Sequence, residues 1–141
     1  KGLLQAVIDQ IDAEMLARMR ATVTPEQTPW EAFLNEGVAY IEMALEPEIQ
    51  RIMLLDGPAV LGDPSRWLNQ TACLRTATST VQTLIDAGML HPVDAEAAAR
   101  LVNGAALNAA LWVAAADEPR AVLDRAINAF QLLVSGLLKL V

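Results

Sequence analysis

Leu101-Val102-Asn103-Gly104-Ala105-Ala106-Leu107-Asn108-Ala109-Ala110-Leu111-Trp112-Val113-Ala114-Ala115-Ala116 is a run of 16 residues without a charge. It falls short of the roughly 20 apolar residues that span a bilayer, and Asn103 and Asn108 interrupt it, so it reads as a buried helix of a soluble domain. Asp94 precedes it as a capping residue and Asp117 closes it. Beyond Asp117 a second apolar helix follows, in which Asp124, Asn128, Gln131, Ser135 and Lys139 form one narrow polar face. Val122, Leu123, Ala126, Ile127, Phe130, Leu133, Val134, Leu137, Leu138 and Val141 fill the rest, roughly two thirds of the circumference, where a surface helix needs an apolar stripe of only about 100°. With so short a turn the two helices, expected over residues 94–116 and 117–141, pack antiparallel.

One core can cover one side of this hairpin, and the other side needs a second cover. The economical one is a twofold copy, giving an intermolecular four-helix bundle with an isologous interface. The residues expected there are Leu101, Ala105, Asn108, Trp112, Leu123, Ile127, Phe130, Val134 and Leu137. The competing arrangement encloses the hairpin as the centre of a monomeric bundle.

Outward from the hairpin, proline, glycine and capping residues divide the chain into about six helices. The first runs to Ala21, with Leu3, Leu4, Val7, Ile8, Ile11 and Met15 at helical spacing from its first residues, as if another segment preceded it. Thr28-Pro29-Trp30-Glu31 joins a capping box to a proline at the first helical position, a strong start signal. A short helix over residues 47–55 should end in a turn at Asp56-Gly57-Pro58. Asp63-Pro64 opens the next, marked by Trp67, Thr71, Leu74, Thr78, Val81 and Ile85, with Gly88 as its cap. The fold class expected is therefore all-α, one domain over residues 1–141, without strands.

Composition agrees and narrows the function. The chain is 54% hydrophobic but only 4% aromatic, the excess lying in Ala, Leu and Val, which suits helices. Seventeen acidic against ten basic residues leave a net charge of -7, which repels the polyanionic backbone of nucleic acids. The lone Cys73 cannot form an internal disulfide and suits a cytoplasmic location.

No catalytic or metal chemistry is legible. Gly57-Pro58-Ala59-Val60-Leu61-Gly62 has the glycine spacing of a phosphate loop, but Asp63-Pro64 stands where Lys and Ser or Thr are required. His91 and Cys73 are too few for a zinc site, and no cofactor is expected. Asn69-Gln70-Thr71 fits the glycosylation pattern within a helix, where it reads as coincidence. Thr71, Thr78 and Asn108 interrupt apolar faces. Either the threonines bond back to carbonyls one turn earlier, or these groups supply the few polar contacts of an apolar ligand cavity.

The stretch Gln50-Arg51-Ile52-Met53-Leu54-Leu55-Asp56-Gly57-Pro58-Ala59-Val60-Leu61-Gly62, followed by Trp67, resembles the C-terminal domain of the tetracycline-repressor (TetR) family. Residues 1–16, 101–112 and 132–137 resemble, in order, that domain's first, penultimate and final helices. The resemblance implies a domain that dimerises through its last two helices and holds a small-molecule effector among the middle ones, whose occupation changes the spacing of two DNA-binding heads. Operator DNA is then bound only through an N-terminal helix-turn-helix that this chain lacks. For the pocket we expect Trp30, Phe33, Met43, Leu54, Trp67, Thr71, Leu74, Thr78, Asn108 and Trp112. With no Lys or Arg among them, the ligand should be largely apolar. The alternatives are a helical dimer module without a ligand and a small helical enzyme.

Overall fold

The computed structural model describes residues 2–139, and their side chains except those of Ser65 and residues 68–71. Among the described residues there are six α-helices and no strand. The single extended pairing is an isolated bridge between Leu90 and Leu138.

Helix α1 (Gly2–Ala21) buries Ile8, Ile11 and Met15, one stripe at helical spacing, and carries Arg18 and Arg20 in its last turn, where cations suit the helix dipole. Helix α2 (Pro29–Glu42) starts where its signal lies: Thr28 accepts a hydrogen bond from the Glu31 backbone N–H at 3.1 Å, and Pro29 occupies the first turn. It tightens into a 3-10 turn (Met43–Leu45), after which Glu46 turns extended. The Arg18 guanidinium clasps that elbow through both of its outer nitrogens, to Glu46 Oε1 at 2.8 Å and to Oε2.

The following segment departs from expectation. Ile49–Asp56 is a π-helix that runs directly into α3 (Gly57–Leu61), so Asp56-Gly57-Pro58 is helical rather than a turn. Gly57 is buried with helical torsions, φ -56 and ψ -53. Its glycine is required by close approach: a Cβ would strike the Ile52 carbonyl oxygen and stand 3.0 Å from Trp67 Cη2. Pro58 sits in the first turn of α3, where its missing N–H is tolerated. The reversal comes four residues later at Gly62, whose φ of 83 only glycine adopts readily.

A 3-10 turn (Pro64–Arg66) leads to α4 (Leu68–Asp86), and Gly88, φ 77, follows its end as the sequence signals. Asp94 caps α5 (Ala95–Ala115) by accepting from the Ala97 N–H at 2.8 Å. Helix α6 (Pro119–Ser135) is shorter than expected. After Gly136 the chain leaves the helix and lies along the α4–α5 connector, where the His91 N–H donates to the Leu137 carbonyl and the Lys139 N–H to that of Met89, each at 2.9 Å. Those pairings satisfy backbone groups of the connector, at His91 and Met89, that have no helical partner.

Helix α5 is the axis of the domain. It packs against α4, α6, α2 and the π-helix, and buries Ala98, Ala99, Ala106, Leu107, Ala110 and Val113. Small side chains on this face allow neighbouring helices to come close. Helix α6 turns Ala126, Phe130 and Val134 inward at steps of four. Phe130 lies across α2 at Gly37, where any Cβ would stand 2.7 Å from the ring tip.

Candidate functional site

The expected pocket residues divide into two groups. Trp30, Met43 and Leu54 are buried, and Phe33, Leu74 and Trp67 are half-buried against the core. The Trp30 and Phe33 rings lie 6.0 Å apart, tilted at 46°. These residues come from α2, the elbow, the π-helix and α4, around the inner side of the bundle. The side chain of Thr71 lies outside the described residues. Asn108 and Trp112 lie on the exposed side of α5 and do not belong with the rest. The physical reason is the angle between positions: the inward residues Ala106, Ala110 and Val113 stand on the side of α5 away from the 101, 104, 108 and 112 stripe.

The threonines of α4 separate the two explanations for polar groups on its face. Thr76, Thr80 and Thr83 bond back to the carbonyls of Ala72, Thr76 and Ser79, one turn earlier. Thr78 does not. Its Oγ1 is buried and has no hydrogen-bond partner among the described residues, on the helix face that carries buried Val81 and half-buried Leu74. A hydroxyl held this way costs about 1–3 kcal/mol unless something supplies a partner.

A group of ionisable side chains comes together from α1, α2 and α4. The Tyr40 phenol is pushed well above its usual range by burial, and Asp12 and Cys73 add to the shift. The Cys73 thiol is likewise raised by burial and by Asp12 and Glu36, against an opposing pull from Arg20. Burial raises the half-buried Glu36 carboxyl too, with Arg20 in opposition. Cys73 therefore stays a thiol, the unreactive form. His91 lies beyond the far end of α4, on the order of 20 Å along the helix from Cys73, so the two do not form a nucleophile and base. Among the described residues no group of three or more His, Cys, Asp or Glu could hold a metal. An open groove of about 430 Å³ lies at the α5–α6 turn instead, lined by Leu45, Gln50, Glu118, Pro119, Arg120 and Ala121, none of them an expected pocket residue.

The expected interface residues also divide. Leu101, Asn108 and Trp112 are exposed, Leu101 at 76% and Trp112 at 44%; Ala105, Leu123, Ile127 and Leu137 are partly covered. Phe130 and Val134 are corrected outright, because both are buried in the protomer's own core and present nothing to a second chain. In their place α6 exposes Leu132 at 78% and Leu133 at 73%. The Arg125 guanidinium lies 5.2 Å from the Trp112 ring centre, a cation–π contact at the edge of this outer face. Helical spacing does not single out Leu132 and Leu133, because a helix apolar over most of its circumference has no single inward direction. The one available signal is Gly37 of α2, which makes room for one ring and so selects Phe130.

Comparison with known proteins accords with this architecture. Residues 30–137 match the family described as the tetracyclin repressor-like C-terminal domain. A crystal structure of a TetR-family transcriptional regulator from Pectobacterium atrosepticum is similar over 98% of this chain and 71% of its own, with 43% identity and a TM-score of 0.89. Among curated proteins none matches. The chain belongs to the TetR family of transcriptional regulators, as its C-terminal domain. This is a family of regulators and not of enzymes. No helix of the described residues is long and apolar enough to cross a membrane.

Proposed function

We propose that this domain binds a small, largely apolar effector among α2, the π-helix and α4, and forms a homodimer through the outer face of the α5–α6 hairpin. Through the dimer it sets the separation of two N-terminal DNA-binding heads on an operator, in the cytoplasm. The observation that carries the ligand half is Thr78: a buried hydroxyl without a partner among the described residues, on a helix where Thr76, Thr80 and Thr83 each have one. A ligand oxygen or nitrogen would satisfy it, and the apolar Leu74 and Val81 on the same helix face suit the rest of such a molecule.

Area supports the dimer half. A folded monomer of 15.2 kDa exposes about 7,100 Å², whereas this chain exposes 8363 Å². The excess, about 1,200 Å², exceeds the roughly 800 Å² that each partner contributes to a standard interface. The outer hairpin face holds the most exposed leucines of α5 and α6.

Coupling requires the effector to bind one arrangement of the heads better than the other, by about 1–3 kcal/mol in typical cases. The segment over residues 49–62 is the proposed relay. It is π-helical, a rare pitch that recurs at functional sites, and Gly57 holds it against Ile8 of α1 and against Trp67. A thermal-shift screen with apolar metabolites and antibiotics tests the pocket. Hits should stabilise the wild type more than Thr78→Val, and equal shifts in both would remove Thr78 from the site.

A further inference from the structure

The hydrogen-bond ladder along residues 46–62 changes register twice. Entering it, the Gln50 N–H donates to the Glu46 carbonyl, four residues back. At the end of the π-helix the Gly57 N–H donates to Ile52, five back, and in α3 the Gly62 N–H returns to four, on Pro58. A stretch bonded at five between two bonded at four holds one residue more than an α-helix of the same course.

Two side-chain features keep that surplus residue where it is. Arg51 Nε lies 3.5 Å from Asp56 Oδ2, a pair five residues apart. In an α-helix such residues stand about 140° apart around the axis and do not meet, so the pair belongs to the wider register. Gly57 fills a slot beside the Ile52 carbonyl, between Ile8 of α1 and Trp67, where a Cβ would crowd all three. Pro58 follows with no N–H, so the ladder is already interrupted where the register changes back.

We infer that residues 49–57 form a one-residue ratchet between two helical registers. In the register described, the surplus residue is stored in the π-helix. In the other, the ladder runs at four throughout, and α3 moves by about 1.5 Å and turns by about 100° against the preceding turns. Gly57 then leaves Ile8 and Trp67. Asp56 parts from Arg51 and turns toward the slot that Gly57 vacates, and the cost of bringing a carboxylate there keeps this register the minor one. The ratchet deepens the relay proposed above and rests on it for its use, but the two registers need no effector.

Amide hydrogen exchange, followed by mass spectrometry on peptides covering residues 46–62 of the effector-free chain, tests this. Passing between registers breaks the five-residue bonds, so these amides should exchange at least about tenfold faster than those of α5. Leu55 is 45% exposed, so removing it empties no core position. Its removal leaves Gly57 four residues after Ile52 and Asp56 four after Arg51, both ordinary α-helical spacings. That variant should slow exchange of the segment by at least about tenfold and melt no lower than the wild type. Asp56→Asn loses the pair and brings no charge to the slot, and should speed exchange by about threefold. A deletion variant that melts lower, or exchanges as fast as the wild type, shows that the residue is needed where it stands and overturns the ratchet. An Asp56→Asn chain with unchanged exchange overturns it as well. Either result leaves the pocket and the dimer standing, and an effector screen without hits leaves the ratchet standing.

Discussion

The two sides of the α5–α6 hairpin have nearly the same apolar character but opposite surroundings. Inward, Ala106, Ala110, Val113, Phe130 and Val134 are buried against α2, α4 and the π-helix. Outward, Leu101, Trp112, Leu132 and Leu133 face solvent. Hydrophobicity alone therefore does not decide which side of a helix is core. Steric fit decides it: the inner face meets Gly37, whose missing Cβ accepts the Phe130 ring, and Leu101, Leu132 and Leu133 of the outer face stay open to solvent.

Substitutions on the two sides should accordingly fail in different ways. Phe130→Ala empties the seat at Gly37 and should cost about 3–5 kcal/mol of folding stability in denaturant titrations. A loss below about 1 kcal/mol would show that the ring is not packed as described. On the other side, Leu133→Glu should leave the helical content intact and abolish the proposed dimer in a dilution series, whereas Trp112→Ala should weaken it by about 2 kcal/mol, near thirtyfold. If either outer substitution unfolded the protein as Phe130→Ala does, the distinction between the two sides would collapse.

Thr78 sharpens the comparison from within the core. Thr78→Val removes a hydroxyl that lacks a partner and keeps the shape, so the ligand-free domain should gain about 1 kcal/mol while losing affinity for the proposed effector. A destabilised variant would mean that the hydroxyl has a partner after all. Smaller effects follow from charge. Burial holds the folded-state pKa of Glu36 above its unfolded value, so its contribution favours folding below the unfolded pKa and is lost as pH rises through the folded one. Glu36→Gln should therefore raise the melting temperature most at neutral pH and least in acid. Glu46 has the opposite sign. Its hydrogen bond from Arg18 lowers its pKa, so the contribution is present above the unfolded pKa and lost as pH falls through the folded value. Both partners are about half exposed, so Glu46→Gln should cost less than about 0.5 kcal/mol at neutral pH.

Much of the fold is written in local chemistry. Thr28 and Asp94 cap the helices they were expected to cap, Gly88 ends α4, and Asp117 lies in the turn between α5 and α6. Each signal depends on hydrogen bonds or torsions within a few residues, so a sequence carries it without reference to the rest of the chain. The candidate site was less legible. Trp30, Met43 and Leu54 are buried as a pocket lining or core must be, but Asn108 and Trp112 face outward, because helical spacing orders residues around an axis without saying where its neighbours stand.

By itself the sequence determined an all-helical domain, the places where most helices start, and a C-terminal hairpin with more apolar surface than one core can cover. Only the tertiary structure decided the rest. It turned Phe130 and Val134 inward and left Leu132 and Leu133 outside, since a helix apolar over two thirds of its surface takes its direction from what packs on it. It also carried the helix through Gly57 and Pro58, because the glycine serves close approach to Ile52 and Trp67 rather than a change of direction. Such contacts join residues far apart in the chain, and no local pattern encodes them.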